Sequence, residues 1–349
     1  MKSLKDLLAP SKTLQKILHK KRNLNERSIE SAIKLYVGDD ISSDEKKKIH
    51  DDILKCIKKY AVSAEEYFLF GFRDISDEKR KSFVPFYEHR AVCLKINSLE
   101  SRRVFENKFE SYKTFKPYYK REIINIVPDC GNNLSTFLDF IKKHDKFIVK
   151  PSCKSGGKGI SIIESPEVTD AEAILKELLL KSPQGFIIEE LVTQSAELAE
   201  FHPSSVNTVR ISTLCLKDRI EIVHPFFKMG QGGKVIDNGA AGGILSTIDK
   251  STGVVMKASD ELGHSYEIHP DSQKPIVGFK IPKWEELIEL SKELASVFPQ
   301  NRFTGWDFAL TDDGWVLIEG NGIGGFVGWQ LVDKVGFHDE LYALLKEIN

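Results

Sequence analysis

This sequence of 349 residues has no excess of charge of either sign: 50 Lys and Arg stand against 51 Asp and Glu, for a net charge of -1. That balance supplies no basic field, so nucleic acid is not an expected partner. Cysteine is scarce and scattered. Cys56, Cys93, Cys130, Cys153 and Cys215 are odd in number and form no CxxC. This argues against a zinc site or a disulfide framework and for a reducing, cytoplasmic setting. Long apolar runs are missing too: no stretch approaches the roughly 18 residues of a membrane span. The N-terminal MKSLKDLLAPSKTLQKILHKK has no apolar core of the kind a signal peptide carries. Repeats and low-complexity tracts are also absent. What remains, 41% apolar and 29% charged residues, suits a chain that packs two or three units around a substantial core.

The first 60 residues are charge-rich with helical periodicity. Leu4, Leu7, Leu8, Leu14, Ile17 and Leu18 mark one face, and Ile29, Ala32, Ile33 and Tyr36 a second. A third helix, EKKKIHDDILKCIKKYA, opens after Ser42 or Ser43 as N-cap. Its basic run Lys46–Lys48 reads as a solvated face. Aromatic residues then recur at helical spacing between residues 63 and 120, which reads as core. Beyond Val127-Pro128-Asp129 the pattern predicts a helix from about Ser135, strand Lys146–Lys150, strand Gly159–Glu164, helix Asp170–Leu180, strands Gly185–Leu191, Asn207–Leu216 and Arg219–Phe227, and helix Trp284–Val297. The fold class is α/β or α+β with a helical N-terminal extension.

Chemistry concentrates in Phe303–Gly325, FTGWDFALTDDGWVLIEGNGIGG. Two short apolar strands, Trp306–Leu310 and Trp315–Ile318, are expected to join through a three-residue loop, Asp312-Asp313-Gly314. That register sets Asp307 across from Glu319, with Asn321 leaving the same face two residues on. Opposed carboxylates stand roughly 5 Å apart and repel unless something positive lies between them. Asp, Glu and Asn offer only hard oxygen ligands, which suit Mg²⁺ bridging substrate phosphates. A solvated hairpin whose acids merely face water is the bland alternative. Gly322, Gly324 and Gly325 favour a site, because they let backbone approach a ligand closely.

Two further stretches matter. In FIVKPSCKSGGKGI, Phe147–Ile160, a strand ends at Lys150-Pro151 and a loop of Ser, Gly and Lys precedes a second strand. Such a loop can turn several N–H groups onto phosphate oxygens, although by itself it serves equally as a plain turn. It is not a Walker A loop, whose spacing is absent. In FIIEEL, Phe186–Leu191, an apolar strand runs into paired acids. It could offer its backbone to an adenine edge, though alone it reads as a buried strand ending in solvated acids. Arg210, within an apolar run, needs a buried counter-charge.

A glycine hairpin, a strand ending in acids and then Asp…Glu-x-Asn, in this order, resemble the ATP-grasp superfamily. HPSSVNTVRIST (202–213), FFKMG (226–230) and DNGAAGGI (237–244) resemble the sugar-transfer-associated ATP-grasp proteins, over roughly residues 100–330. The resemblance implies an α+β ATP-grasp fold, with two subdomains clasping ATP and a helical N-terminal extension. The expected units are 1–95, helical; 96–192, carrying the Gly-rich lid; and 193–349, carrying the metal site. Lys108 would reach a nucleotide phosphate and Lys150 the α-phosphate and adenine side. Ser155, Gly156 and Gly157 would cap the outer phosphates. The Glu190 carbonyl and Val192 N–H would pair with adenine, and Glu197 would hold the ribose, with Glu189 or His202 as competitors. Arg210 and Lys228 would face the transferring phosphate or the acyl oxygen. Asp307, Glu319 and Asn321 would hold one or two Mg²⁺, or Mn²⁺ in its place. An arginine that D-alanine–D-alanine ligases carry two residues before the metal aspartate is Gly305 here, which leaves Arg210 as the replacement donor. The implied activity is ATP-dependent, ADP-forming ligation of a carboxylate to an amine, both small molecules, in surface-polysaccharide biosynthesis. The competing readings are an amino acid or peptide ligase, a phosphotransferase, and a non-catalytic nucleotide-binding partner of a glycosyltransferase. A homodimer is left open.

Overall fold

The structure, a computed structural model, describes residues 26–154, 156–234, 237, 239, 242–325 and 327–348. The apolar face read from Leu4 to Leu18 lies outside these residues, as does Ser155.

The chain begins with a helical layer: α1 (Glu26–Tyr36), α2 (Ser43–Tyr60), α3 (Ala64–Leu69) and α4 (Asp77–Arg80). Ser42 is the N-cap of α2, its hydroxyl accepting the Glu45 N–H at 3.2 Å. Ser63 and Glu66 form a reciprocal capping box at α3. The layer has its own core, in which Ile29, Ile33, Ile53, Tyr67, Phe70 and Phe72 are all buried. Three helices follow, α5 (Phe86–Ile96), α6 (Leu99–Glu106) and α7 (Lys108–Tyr119). Their aromatic residues, Phe105, Tyr112, Phe115 and Tyr119, join the largest core cluster, as their spacing predicts.

Next come β1 (Ile123–Ile126), α8 (Asn133–Ile141), β2 (Lys146–Pro151), β3 (Ser161–Glu164), α9 (Ala171–Lys181), β4 (Phe186–Glu190) and α10 (Ala196–Ala199). The remainder holds β5 (Thr208–Cys215), β6 (Ile220–Met229), β7 (Ile244–Ile248), β8 (Val255–Ser259), α11 (Trp284–Val297), β9 (Phe303–Thr311), β10 (Gly314–Asn321), α12 (Val327–Asp333) and α13 (His338–Leu345). Among the described residues the strands form two antiparallel sheets, ordered β1-β4-β2-β3 and β10-β9-β5-β6-β7-β8. This is a mixed α+β fold. No helix among them is long and apolar enough to cross a membrane.

Strand alternation decides what faces what. In β2, Phe147 and Val149 enter a core with Phe137 and Phe140, so Lys146, Ile148 and Lys150 face the other way. In β9, Trp306, Phe308 and Leu310 enter the largest core with Trp284 and Leu287 of α11, which turns Gly305 and Asp307 to the opposite face.

Buried amides fasten the segment around α5 to the six-stranded sheet and to α12. Asn97 accepts from Phe303 N at 2.9 Å and donates to Gly322 O at 2.6 Å, bracing the start of β9 and the end of β10. Gln330 is fully buried, accepts from Val84 N and donates to Val84 O, each at 2.9 Å. Replacing Gln330 with Ala leaves both Val84 groups buried without partners. The expected loss of unfolding free energy is about 2–3 kcal/mol by urea denaturation, and a loss under about 0.5 kcal/mol would refute the tie.

Candidate functional site

The face of β9 that carries Asp307 lines a cleft of about 1070 Å³. Its other walls include Lys146, Ile148 and Lys150 of β2, and Lys154, Gly156, Gly157 and Lys158 of the glycine hairpin. The late acidic hairpin and the early glycine hairpin therefore share one cavity.

Asp307 lies directly opposite Glu319, as expected, but the register arises differently. Thr311 pairs with Gly314, so the turn holds two residues rather than three, with Gly314 at φ 97°. Continued without interruption, that register would set Asp307 opposite Ile318. A bulge between Leu317 and Glu319 inserts one residue and restores the acid pair. Two of the three glycines expected to admit a ligand serve packing instead. A Cβ on Gly322 would meet the Phe105 Cβ at 2.7 Å, and one on Gly324 the Phe303 ring at 2.5 Å. Gly325 alone of the three lines the cleft.

Asp307 is buried and gripped by cations. Arg210 Nε and Nη2 donate to its two oxygens, each at 2.6 Å, and Lys228 Nζ stands 3.0 Å from Oδ1. The buried partner that Arg210 requires is thus Asp307, its neighbour across the β5–β9 ladder. Burial pushes the Asp307 carboxyl up, but Arg210 and Lys228 outweigh it and hold the group at about 2. Asn321 Nδ2 reaches Asp307 Oδ2 at 3.4 Å, which holds the amide against the carboxylate. A side chain at Gly305 would be tight: its Cβ would sit 3.1 Å from Gly324 Cα and 3.2 Å from Arg210 Nη1, so Arg210 of β5 lies against that position.

Lys108 is the first residue of α7, whose N-cap Asn107 accepts from the N–H groups of Phe109 and Glu110. A cation there opposes the helix dipole, which favours anions at that end. Two contacts hold it: Lys108 Nζ donates to Lys154 O at 2.5 Å and stands 3.7 Å from Glu319 Oε1. Lys108 thereby links the glycine hairpin to the acidic one.

Lys150 Nζ is 3.0 Å from Glu189 Oε1. Glu189 is buried, and Arg121 donates to its other oxygen at 3.0 and 2.7 Å. Burial raises the Glu189 carboxyl, and the charges of Lys150 and Arg121 bring it below the usual range. Gly156 and Gly157 have φ of 70° and 72°, the left-handed region that glycine tolerates best. Glu190, the last residue of β4, and Val192 just beyond it line the cleft. Glu197 does not: it is exposed on α10, outside the cleft lining. His202 is buried beside Ser205, 2.9 Å away, and is likewise off the lining.

Sequence reasoning assigned no role to Arg121 or Asp237. Asp237 lines the cleft and accepts from Thr208 N at 3.1 Å and Thr208 Oγ1 at 2.5 Å, with Lys228 Nζ 4.0 Å away. Burial raises its carboxyl, against the pull of Lys228 and Thr208. It opens the DNGAAGGI string, and its clustering with Lys228 is the only signal that marks it.

Among the described residues no cluster of three His, Cys, Asp or Glu could hold a metal ion. Two carboxylates and an amide nevertheless suit a hard divalent cation that completes its shell with phosphate oxygens and water. The donor set fits Mg²⁺, provided that Arg210 and Lys228 give up Asp307.

Two antiparallel sheets, with a glycine hairpin and an acidic hairpin on one cleft, describe an ATP-grasp protein. The chain belongs to the sugar-transfer associated ATP-grasp family, whose model matches residues 89–346. No curated protein sequence matches it. Solved structures similar to it include D-alanyl-alanine synthetase A from Vibrio cholerae O1, with 13% identity, a TM-score of 0.46, and coverage of 72% of this chain and 67% of that one. D-alanine-D-alanine ligase from Helicobacter pylori has 15% identity and a TM-score of 0.46, covering 72% and 64%. The ATP-grasp ligase PsnB, complexed with minimal precursor, has 15% identity and a TM-score of 0.44, covering 74% and 68%.

The low value of Asp307 sets a pH test. A carboxyl held below its unfolded value of about 3.9 adds stability that is complete above pH 4 and is lost as pH falls through about 2. The expected share is about 2 kcal/mol. Asp307→Asn should flatten that part of the unfolding-energy curve relative to wild type. Equal slopes between pH 4 and 2 would refute the pairing.

Proposed function

We propose that the chain is an ATP-dependent, ADP-forming ligase that joins a carboxylate to an amine through an acyl phosphate. The observation that carries this reading is the shared cleft, with Asp307, Glu319 and Asn321 on one wall and Lys150 and the glycine hairpin on another. In this reading Lys150 meets the α-phosphate, and Lys108 and the N–H groups of Gly156 and Gly157, with Ser155, meet the outer phosphates. Glu190 O and Val192 N–H take the adenine edge. Ribose recognition falls to groups other than Glu197, which stands outside the cleft. Asp307, Glu319 and Asn321 would hold one or two Mg²⁺, which supply charge neutralisation at the phosphate oxygens.

An oxygen of the substrate carboxylate attacks the γ-phosphorus in line, and the bond from that phosphorus to the ADP oxygen breaks. Arg210 and Lys228, turned from Asp307 to the phosphoryl group, stabilise the charge spread over its oxygens. The amine nitrogen then attacks the acyl carbon, loses a proton and expels inorganic phosphate, leaving the amide. Asp237 is placed to accept that proton, since burial raises its carboxyl and it stands beside Lys228. Closure of the glycine hairpin excludes the water that would hydrolyse the acyl phosphate. The family's association with sugar transfer favours a sugar acid as carboxylate and an amino acid as amine, in surface-polysaccharide synthesis in the cytosol.

The test is a panel of uronic and amino acids incubated with protein and Mg-ATP. ADP and phosphate should appear only when carboxylate and amine are both present, and Glu319→Gln should lower the rate by at least about a hundredfold. ADP with a phosphorylated product would make the protein a phosphotransferase. AMP and pyrophosphate would exclude the mechanism. Tight nucleotide binding without turnover across the panel would point to a non-catalytic partner of a glycosyltransferase.

A further inference from the structure

Arg121 sits in the short link between α7 and β1, where the chain leaves the six-stranded sheet's helices and enters the four-stranded sheet. Its side chain is 3% exposed, and its five donors are spread over both sheets. Towards the four-stranded sheet, Nε and Nη2 hold Glu189 Oε2, whose partner oxygen holds Lys150. Towards the six-stranded sheet, Nη1 donates to Leu317 O at 2.6 Å and Nη2 to Ile318 O at 3.3 Å. Its guanidinium also lies 4.9 Å from the centre of the Tyr119 ring, and Nη1 donates to Tyr119 O at 3.1 Å, which fixes the plane of the fork.

The two carbonyls are not arbitrary. Strand β10 is the edge of its sheet, and Leu317 and Ile318 span the bulge that sets Glu319 opposite Asp307. An edge strand with a bulge leaves carbonyls without ladder partners, and a buried unpaired carbonyl costs about 1–3 kcal/mol. Arg121 supplies those partners and so stabilises the bulged register against the slipped one. The same guanidinium orients the carboxylate that aims Lys150.

We propose that Arg121 is a positioning residue that couples the phosphate-facing Lys150 to the cation-facing Glu319, so that one guanidinium sets both halves of the nucleotide–magnesium site. The inference rests on the nucleotide reading given above. It requires more of Arg121 than charge: a lysine keeps the ion pair with Glu189 but cannot hold two carbonyls at the same time.

The test compares wild type with Arg121→Lys and Arg121→Gln by calorimetric titration of ADP, first without metal and then across a Mg²⁺ series. Arg121→Lys should melt within a few degrees of wild type and bind metal-free ADP with nearly wild-type affinity. Its half-saturating Mg²⁺ for ADP binding should rise about tenfold, the usual cost of disturbing a group behind a metal ligand. Arg121→Gln should weaken both. An Arg121→Lys protein with wild-type Mg²⁺ dependence overturns the inference. So does one that loses stability and both affinities in proportion, because that marks a purely structural arginine. Should Arg121→Gln fail to fold, the lysine variant decides alone. Wild-type protein that binds no ADP with or without Mg²⁺ overturns the nucleotide reading, and this inference with it.

Discussion

Asp307 lies buried between Arg210 and Lys228, and much of the site's arrangement follows from keeping those three charges together. Removing one member of such a group leaves an uncompensated internal charge, at a cost of several kcal/mol. The strands answer this by register: Arg210 on β5 stands directly across from Asp307 on β9, and Lys228 on β6 reaches the same carboxylate from one strand further. The cations occupy the place that opposed carboxylates would otherwise require a metal to fill. In the proposed cycle Arg210 and Lys228 would turn to the phosphoryl group and leave Asp307 to hold a metal, so neither cation is left without a counter-charge.

The second acid depends on irregularity instead of register. Glu319 faces Asp307 because β10 bulges at Ile318, and the bulge persists because its carbonyls find Arg121. Phe105 supports the strand from behind: a side chain on Gly320 would collide with its ring and one on Gly322 with its Cβ, so bare backbone is needed for α6 to pack there. The site is therefore supported from three directions, by the neighbouring strand, by the link between the sheets and by a helix. Each support is a side chain outside the motif it serves.

That distribution explains what could be read from the order of residues alone. The Asp307–Glu319 pair was legible because an apolar alternation on each side of a turn identifies a hairpin and its facing residues. The loop length was not, because a two-residue turn with a bulge and a three-residue turn without one give Asp307 the same partner. The glycines after Asn321 were visible, but their purpose lay in Phe105 and Phe303, which sit far off along the chain or enter from another strand position. Helix α11 and strands β2, β4, β5 and β6 were legible from their periodic apolar faces. Strands β1, β7 and β8 were missed, being four or five residues long and defined mainly by what they pair with. Arg121 belongs to no pattern of period two or 3.6, and its role exists only once two sheets meet. Glu197 lies exposed on α10, off the cleft lining, a placement that no local pattern foretells.

Helix α5, which follows the helical layer, shares its interior with the sheets, and this bears on how such a protein can be assembled. The family match begins at residue 89, inside α5, which spans Phe86–Ile96. Val84, Val92 and Cys93 belong to one cluster with Leu214, Phe303, Phe337 and Leu341, which come from the sheet and the last helix. Helix α5 and the sheet-bearing body are thus not beads on a string that recombination could exchange at a linker. A body cut at residue 89 would carry a severed α5 and would lose Val84 from that cluster, so the cut would fall inside a packed interior and not in a linker.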